Sequence, residues 1–218
     1  MDGYQVDGLI FDFDGVLVDT AEDIASAANR VLQQSGMPAV PVAIVRGYIG
    51  GGADTLIRRL LPEAPEDQRQ EALSLFKTAY SECYDVHSSL YPGVQDVLEH
   101  FLTAGRRMAI ATNKVERLTE SLVRKLGLHR YIELVVGPES VARRKPDPEA
   151  VELILASWRV GPERTLLIGD TAEDIHAGRA AGTLTVGALY GYGTEREIRA
   201  ARPDQVIRSI RELPGLIS

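Results

Sequence analysis

Short, uninterrupted apolar runs, each closed by turn-forming or carboxylate residues, recur along this chain and alternate with segments of helical periodicity. The first, over 8–13 (GLIFDF), breaks at Asp14-Gly15; the run at 108–111 is closed by Thr112-Asn113, that at 134–136 by Gly137-Pro138, and that at 166–168 by Gly169-Asp170. Weaker strand candidates lie at 184–186 and 205–207. Between them the spacing predicts helices over 94–104, 115–126, 148–157 and 172–181, each followed within a few residues by Gly or Pro. Strands that are apolar throughout, rather than alternating, need cover on both faces. The pattern therefore predicts an α/β fold, a doubly wound parallel sheet with a Rossmann-like core.

One stretch breaks the rhythm. From about 20 to 90 only helical patterns occur, over 21–34, 53–61 and 66–84, which reads as an inserted helical cap. The expected division is a core of residues 1–18 and 90–218 with a cap of 19–89. The length of 218 residues suits one well-buried core carrying such an insertion.

The formal net charge is -7 and the basic residues are dispersed, so the electrostatic footprint of a nucleic-acid binder is missing. An acidic protein that handles an anionic substrate needs a cation or a few focused basic groups. The single Cys83 has no internal disulfide partner, no apolar segment approaches the ~20 residues of a membrane span, and no secretory start precedes Asp12. A cytoplasmic protein, monomer or homodimer, with no nucleic-acid or membrane partner is expected.

In parallel α/β sheets, ligands gather at the carboxyl ends of the strands. There this chain delivers Asp12 and Asp14 from the first strand, Thr112 and Asn113 from the second, Asp170 from the fourth, and Lys145 from the loop after the third. Two carboxylates from one turn and a third from another strand suit a hard divalent cation, magnesium best. The Thr112 hydroxyl, a backbone N–H near Asn113 and the Lys145 ammonium then suit three phosphoryl oxygens.

Taken singly, each residue has a plainer reading. Asp14-Gly15 is an ordinary turn dipeptide, Thr112 caps the helix from 115, Asp170 or Thr171 caps the helix from 172 with Glu173 or Asp174 completing a capping box, and Lys145 is a solvated loop lysine. Their conjunction at consecutive strand ends favours the chemical reading. Residues 12–23 fail as a calcium loop, which needs Gly where Leu17 stands and Glu where Asp23 stands. GYIGGG at 47–52 lacks the Lys-Ser or Lys-Thr of a nucleotide-binding loop. The four histidines lack paired ligand spacing, and Trp158 is expected to pack.

Residues 9–20, LIFDFDGVLVDT, closely resemble the first signature of the haloacid dehalogenase superfamily. AIATN at 109–113, KPDP at 145–148 and IGDTAED at 168–174 resemble the second, third and fourth, in order. The resemblance implies a phosphoric monoester hydrolase acting on small phosphate esters, with Asp12 as nucleophile, Asp14 as acid/base, and an aspartyl-phosphate intermediate. It also implies Mg2+ held by the Asp12 carboxylate, the Asp14 carbonyl and the Asp170 carboxylate, with Asp174 acting through water or a neighbour. A glycine-containing cap loop often faces the active site in this family, making Arg46, Tyr48, Gly50, Gly51 and Gly52 candidate substrate contacts.

Within the superfamily, Asp14 argues against a dehalogenase, which needs no acid for a leaving alcohol. A phosphonoacetaldehyde hydrolase uses a cap lysine for a Schiff base; here the cap's only lysine is Lys77, expected in mid-helix. A β-phosphoglucomutase-like enzyme shares the cap and both aspartates but usually carries Glu-Asp where this chain has Gly169-Asp170. YGYG at 190–193 and IGGGAD at 49–54 look most like phosphoglycolate phosphatases. A non-catalytic binding protein on the same fold is the remaining alternative, disfavoured because Asp12, Asp14 and Lys145 are all present.

Overall fold

The computed structural model describes residues 3–218; residues 1 and 2 of the expected core segment lie outside the described residues. Six parallel strands form one sheet: β1 (Gly8–Phe11), β4 (Arg107–Ala111), β5 (Leu134–Val136), β6 (Thr165–Gly169), β7 (Leu184–Ala188) and β8 (Gln205–Ile207). Their spatial order is β5-β4-β1-β6-β7-β8. Every residue of β1 and β6 is buried, as expected for central strands covered on both faces.

Side chains alternate across the pleat. Leu9, Phe11, Met108, Ile110, Leu166 and Ile168 join one apolar cluster, packed against α5 (Val94–Thr103) and α6 (Glu116–Lys125) through Leu98, Phe101 and Leu122. Ile10, Ala109, Ala111 and Leu167 join a second, covered by α7 (Glu149–Trp158) and α8 (Ala172–Ala181) through Val151, Ile154, Trp158 and Ala177. Two helical layers thus enclose the sheet, the doubly wound arrangement expected. The chain winds outward from β1 through β4 and β5, then crosses to β6 on the other side. The strand order therefore reverses between β1 and β6, the crevice where such folds place their ligands.

Register sets the height at which the strand ends deliver their side chains. Phe11 is level with Ile110 and Ile168, so the residues after it emerge beside the ends of β4 and β6. The strand is shorter than the expected 8–13, because Asp12 and Phe13 leave the ladder after Asp12 N donates to Ile168 O at 2.9 Å.

The inserted helices are α1 (Ala21–Gln34), α2 (Val42–Arg46), α3 (Gly52–Leu60) and α4 (Glu66–Cys83); the five-residue α2 carries too little periodicity to be anticipated. They surround their own apolar cluster, with Val31, Leu32, Ile57, Phe76 and Ala79, into which Leu118 of α6 also reaches. Where the chain leaves the sheet domain and returns, β2 (Val18–Asp19) and β3 (Ser89–Leu90) pair antiparallel. Two-residue strands are too short for sequence periodicity to register. After β8 the chain ends in a 3-10 run, Ile210–Leu216, which contains Pro214. Between β7 and β8 lies α9 (Glu195–Ala200). No helix among the described residues is long and apolar enough to cross a membrane.

Phe101 is 1% exposed between α5 and the sheet. Phe101→Ala removes a whole ring from a close-packed interior and is expected to cost about 3–5 kcal/mol. Urea denaturation monitored by circular dichroism measures it, and a loss below about 1 kcal/mol would contradict this packing.

Candidate active site

The turn after β1 carries Asp12 into the crevice. Its carboxylate is buried, with Oδ1 accepting from Phe13 N at 2.6 Å and lying 3.0 Å from Lys145 Nζ. Oδ2 has no hydrogen-bond partner among the described residues, and Asp12 lines a partly open cavity of about 460 Å³ between the strand ends and the cap helices. Burial, working against the Lys145 ammonium and reinforced by the Asp174 and Asp14 carboxylates, pushes the Asp12 carboxyl up to about 7.

Lys145, from the loop between β5 and α7, is nearly inaccessible to water. Its ammonium donates to Ala111 O and Asp174 Oδ1, both at 2.6 Å, as well as facing Asp12. An ammonium has three donors, and here all three point at protein oxygens. Burial would discharge this lysine, but Asp12 and Asp174 outweigh it and hold the group above its ordinary range. Lys145 therefore meets an incoming anion only by sharing protons already committed to Asp12 and Asp174.

Asp174 spends its other oxygen locally. Oδ2 accepts from Thr171 N at 3.0 Å and from Thr171 Oγ1 at 2.7 Å, in the capping box of α8. The plain reading of this motif and the chemical one thus coexist in one side chain.

Asp170, at the end of β6, is fully buried. Tyr192 N donates to its Oδ2 at 2.6 Å, while Oδ1 is buried with no partner. Burial, with the carboxylates of Asp12 and Asp174, raises its affinity for a proton well above the ordinary. Two glycines let backbone close around it. Gly15 has φ of +85° and a Cβ there would fall 2.0 Å from Asp170 Oδ2; a Cβ on Gly191 would fall 2.3 Å from the same oxygen. One oxygen from each of Asp12, Asp170 and Asp174 lies within 4.8 Å of the others. Three buried carboxylates around one ammonium, with an orphaned oxygen among them, have the donor chemistry of a hard-cation site.

Asp14 is engaged differently. Thr20 Oγ1 donates to its Oδ1 at 2.7 Å, and Lys114 Nζ lies 3.2 Å and 3.3 Å from its two oxygens. The same ammonium donates to the Tyr80 hydroxyl on α4 and sits 4.6 Å from the centre of that ring. Sequence reasoning missed Lys114. It directly follows Thr112-Asn113, but nothing local signals that it turns inward, and a lysine beside a strand end is ordinarily solvated. Tyr192 was also missed as a support for Asp170; its phenol donates to Asp19 at 3.0 Å and accepts from Thr20 N at 2.7 Å.

Thr112 accepts from Lys114 N at 3.1 Å and lines the cavity with its hydroxyl proton uncommitted among the described residues. Asn113 uses its amide to join core to cap, donating to Gly50 O at 3.0 Å and to Lys145 O at 3.1 Å. Of the cap residues singled out, Gly50 and Gly52 line the cavity. Arg46 does not. It pairs with Asp19 at 3.2 Å, donates to the Tyr91 hydroxyl at 3.2 Å and lies over the Tyr192 ring, next to the β2–β3 crossing. Tyr48 and Gly51 are likewise outside the lining, Tyr48 packing on the cap cluster and Gly51 taking the Thr55 hydroxyl on its carbonyl. Lys77 reaches the cavity from α4.

Comparison with known proteins agrees with this geometry. Residues 9–188 match the haloacid dehalogenase-like hydrolase family model. The chain is 35% identical over 214 residues to the phosphoglycolate phosphatase of Pseudomonas putida, covering 95% of this chain and 78% of that protein. It is 36% identical over 213 residues to a plasmid-encoded phosphoglycolate phosphatase of Cupriavidus necator, covering 96% and 92%. A crystal structure described as a predicted phosphoglycolate phosphatase from Haemophilus somnus superposes with a TM-score of 0.90 at 28% identity, covering 97% of this chain and 98% of that one. A buried aspartate cluster at the β1–β6 crevice, a helical cap closed over it, and a family match spanning most of the sequence place this chain among the haloacid dehalogenase-like hydrolases.

Proposed function

We propose that this protein is a magnesium-dependent phosphatase of small phosphorylated metabolites, like the phosphoglycolate phosphatases it resembles. One observation carries the reading. Asp12 presents a carboxylate oxygen without a hydrogen-bond partner to the cavity, while its other oxygen is fixed by Phe13 N and Lys145. That oxygen is free to attack, and the fixed one holds its aim.

In the first step Asp12 Oδ2 bonds to phosphorus as the ester P–O bond breaks, and Asp14 gives its proton to the departing alcohol oxygen. In the second, Asp14 takes a proton from water whose oxygen bonds to phosphorus, and the Asp12–phosphorus link breaks to free inorganic phosphate. Thr112 Oγ and Lys145 face the phosphoryl oxygens, and Lys114 holds Asp14 between the steps. Asp12, the Asp14 carbonyl and the orphaned oxygen of Asp170 would hold Mg2+, with Asp174 supporting them through Lys145. When bound, the cation supplies positive charge against the phosphoryl oxygens. In this reading residues 19–89 form the cap that excludes water, and Asn113 fastens it at Gly50.

Water rather than a second sugar phosphate is the acceptor in this proposal. The Glu that precedes the equivalent Asp in sugar phosphomutases has no room, since a Cβ on Gly169 would sit 2.0 Å from Asp174 Cβ.

Asp12→Asn is expected to lower turnover of an aryl phosphate by more than about a thousandfold with an unchanged circular dichroism spectrum; wild-type-like rates would refute the nucleophile assignment. Stripping divalent cations with a chelator is expected to stop turnover and added Mg2+ to restore it, with a higher thermal midpoint in Mg2+ by mass action. Undiminished rates in excess chelator would count against the cation site. Lys114→Met is expected to reduce kcat for alkyl phosphates about ten-fold or more, and much less for 4-nitrophenyl phosphate, whose leaving group needs no proton. Equal losses on both substrates would assign Lys114 a structural role only.

A further inference from the structure

The partly open cavity above Asp12 exceeds in volume what a two-carbon phosphoester occupies. Its roughly 460 Å³ falls in the ~300–1,000 Å³ range of sites that bury drug-sized ligands. This is the space left with the cap seated on the core, because Gly50 O already accepts from Asn113 and Tyr80 already touches Lys114. Most of the wall is apolar: Ile24 from α1, Ile49 before α3, Leu56 from α3, Leu73 and Phe76 from α4, and Leu118 from α6. Such a wall gives no hydrogen bond to a phosphoryl group or a short acid, but it rewards a methylene chain or ring that displaces water from it.

The charged lining is uneven. Asp54 is taken by Arg58 at 3.1 Å, and Glu139 accepts from Glu116 N at 2.9 Å. Lys77, Arg117 and Arg144, from α4, α6 and the loop preceding Lys145, line the same cavity from solvent-exposed positions, and none has a carboxylate within ion-pair distance among the described residues. Three uncommitted cations, open to solvent, therefore border the same cavity as the apolar wall and are separate from the residues that hold Asp12.

We propose that the alcohol part of the preferred substrate is an extended apolar body ending in an anionic group: phosphate at Asp12, body along Ile24, Leu73 and Phe76, distal anion at Lys77, Arg117 and Arg144. The inference rests on the phosphatase reading and concerns only which alcohol is released. The relatives' name, phosphoglycolate phosphatase, does not fix that alcohol here, since the alcohol is recognised by the side chains lining this chain's own cavity rather than by its fold.

The test uses the whole chain with Mg2+ and esters of matched primary alcohols, ethyl phosphate, hexyl phosphate and 6-phosphonooxyhexanoate, beside 2-phosphoglycolate and an aryl phosphate. Burial is worth roughly three- to four-fold per methylene, so kcat/KM is expected to rise at least about ten-fold from ethyl to hexyl phosphate. It should rise again for 6-phosphonooxyhexanoate, and the double variant Arg117→Met, Arg144→Met should erase that second gain through KM. A flat or falling series, with 2-phosphoglycolate the best substrate, overturns the inference and leaves the phosphatase reading standing. Turnover of none of the five overturns the phosphatase reading itself.

Discussion

Lys145 is a single ammonium set among three carboxylates that water scarcely reaches, and much of the molecule is arranged around keeping that group together. Unpaired charge in an interior costs several kcal/mol or titrates away. Lys145 satisfies one oxygen each of Asp12 and Asp174, Thr171 satisfies the other oxygen of Asp174, and Tyr192 N satisfies one of Asp170. What remains is an excess of negative charge, the orphaned buried oxygen of Asp170 and the unpartnered Oδ2 of Asp12. A divalent cation answers all of these at once, which ties the folding electrostatics of this crevice to its proposed chemistry. The upward displacement of Asp12 and Asp170 expresses the same imbalance in proton affinity.

Cap and core meet through the residues beside the chemistry and also along α6, where Tyr84 bonds to Ser121 and Lys125 to Asp85. Asn113 holds the Gly50 carbonyl, Lys114 joins Asp14 to Tyr80, and Arg46 grips Asp19 where the chain crosses into the cap. The contacts of Asn113, Lys114 and Arg46 each span from a strand end or the β2–β3 crossing to a cap element. Tyr80 of the cap thus touches the lysine that holds Asp14, which in the proposed mechanism couples the exclusion of water to the placement of the acid/base group. Leu118 extends the cap's apolar cluster onto α6, so part of the contact is hydrophobic and tolerant of small shifts.

The core strands and their order of delivery were legible because they are local signals. An apolar run needs two covered faces, and its closing residues show which side chains reach the carboxyl edge. Asp12, Asp170 and Lys145 come together in the folded chain as their positions at or after strand ends implied, joined by Asp174, which the family resemblance alone assigns to the site. The short elements were not legible: β2, β3 and α2 have five residues or fewer and no period to detect. The cap residues proved the least legible. A glycine-rich segment announces a bend but not its heading, and Arg46 turned to Asp19 instead of the cavity.

By itself, the sequence determined a parallel, doubly covered sheet with an insertion after its first strand, and the set of carboxylates and cations delivered to one edge. Tertiary structure alone decided that Lys114 belongs to Asp14, that the YGYG segment wraps Asp170, and that Lys77, Arg117 and Arg144 border the same cavity as an apolar wall. Those contacts join residues as far apart as Asp14 and Lys114, or Asp170 and Tyr192. Their existence depends on how α4, α6 and the segment after β7 pack across the strand ends, and packing between distant segments leaves no periodicity in either one.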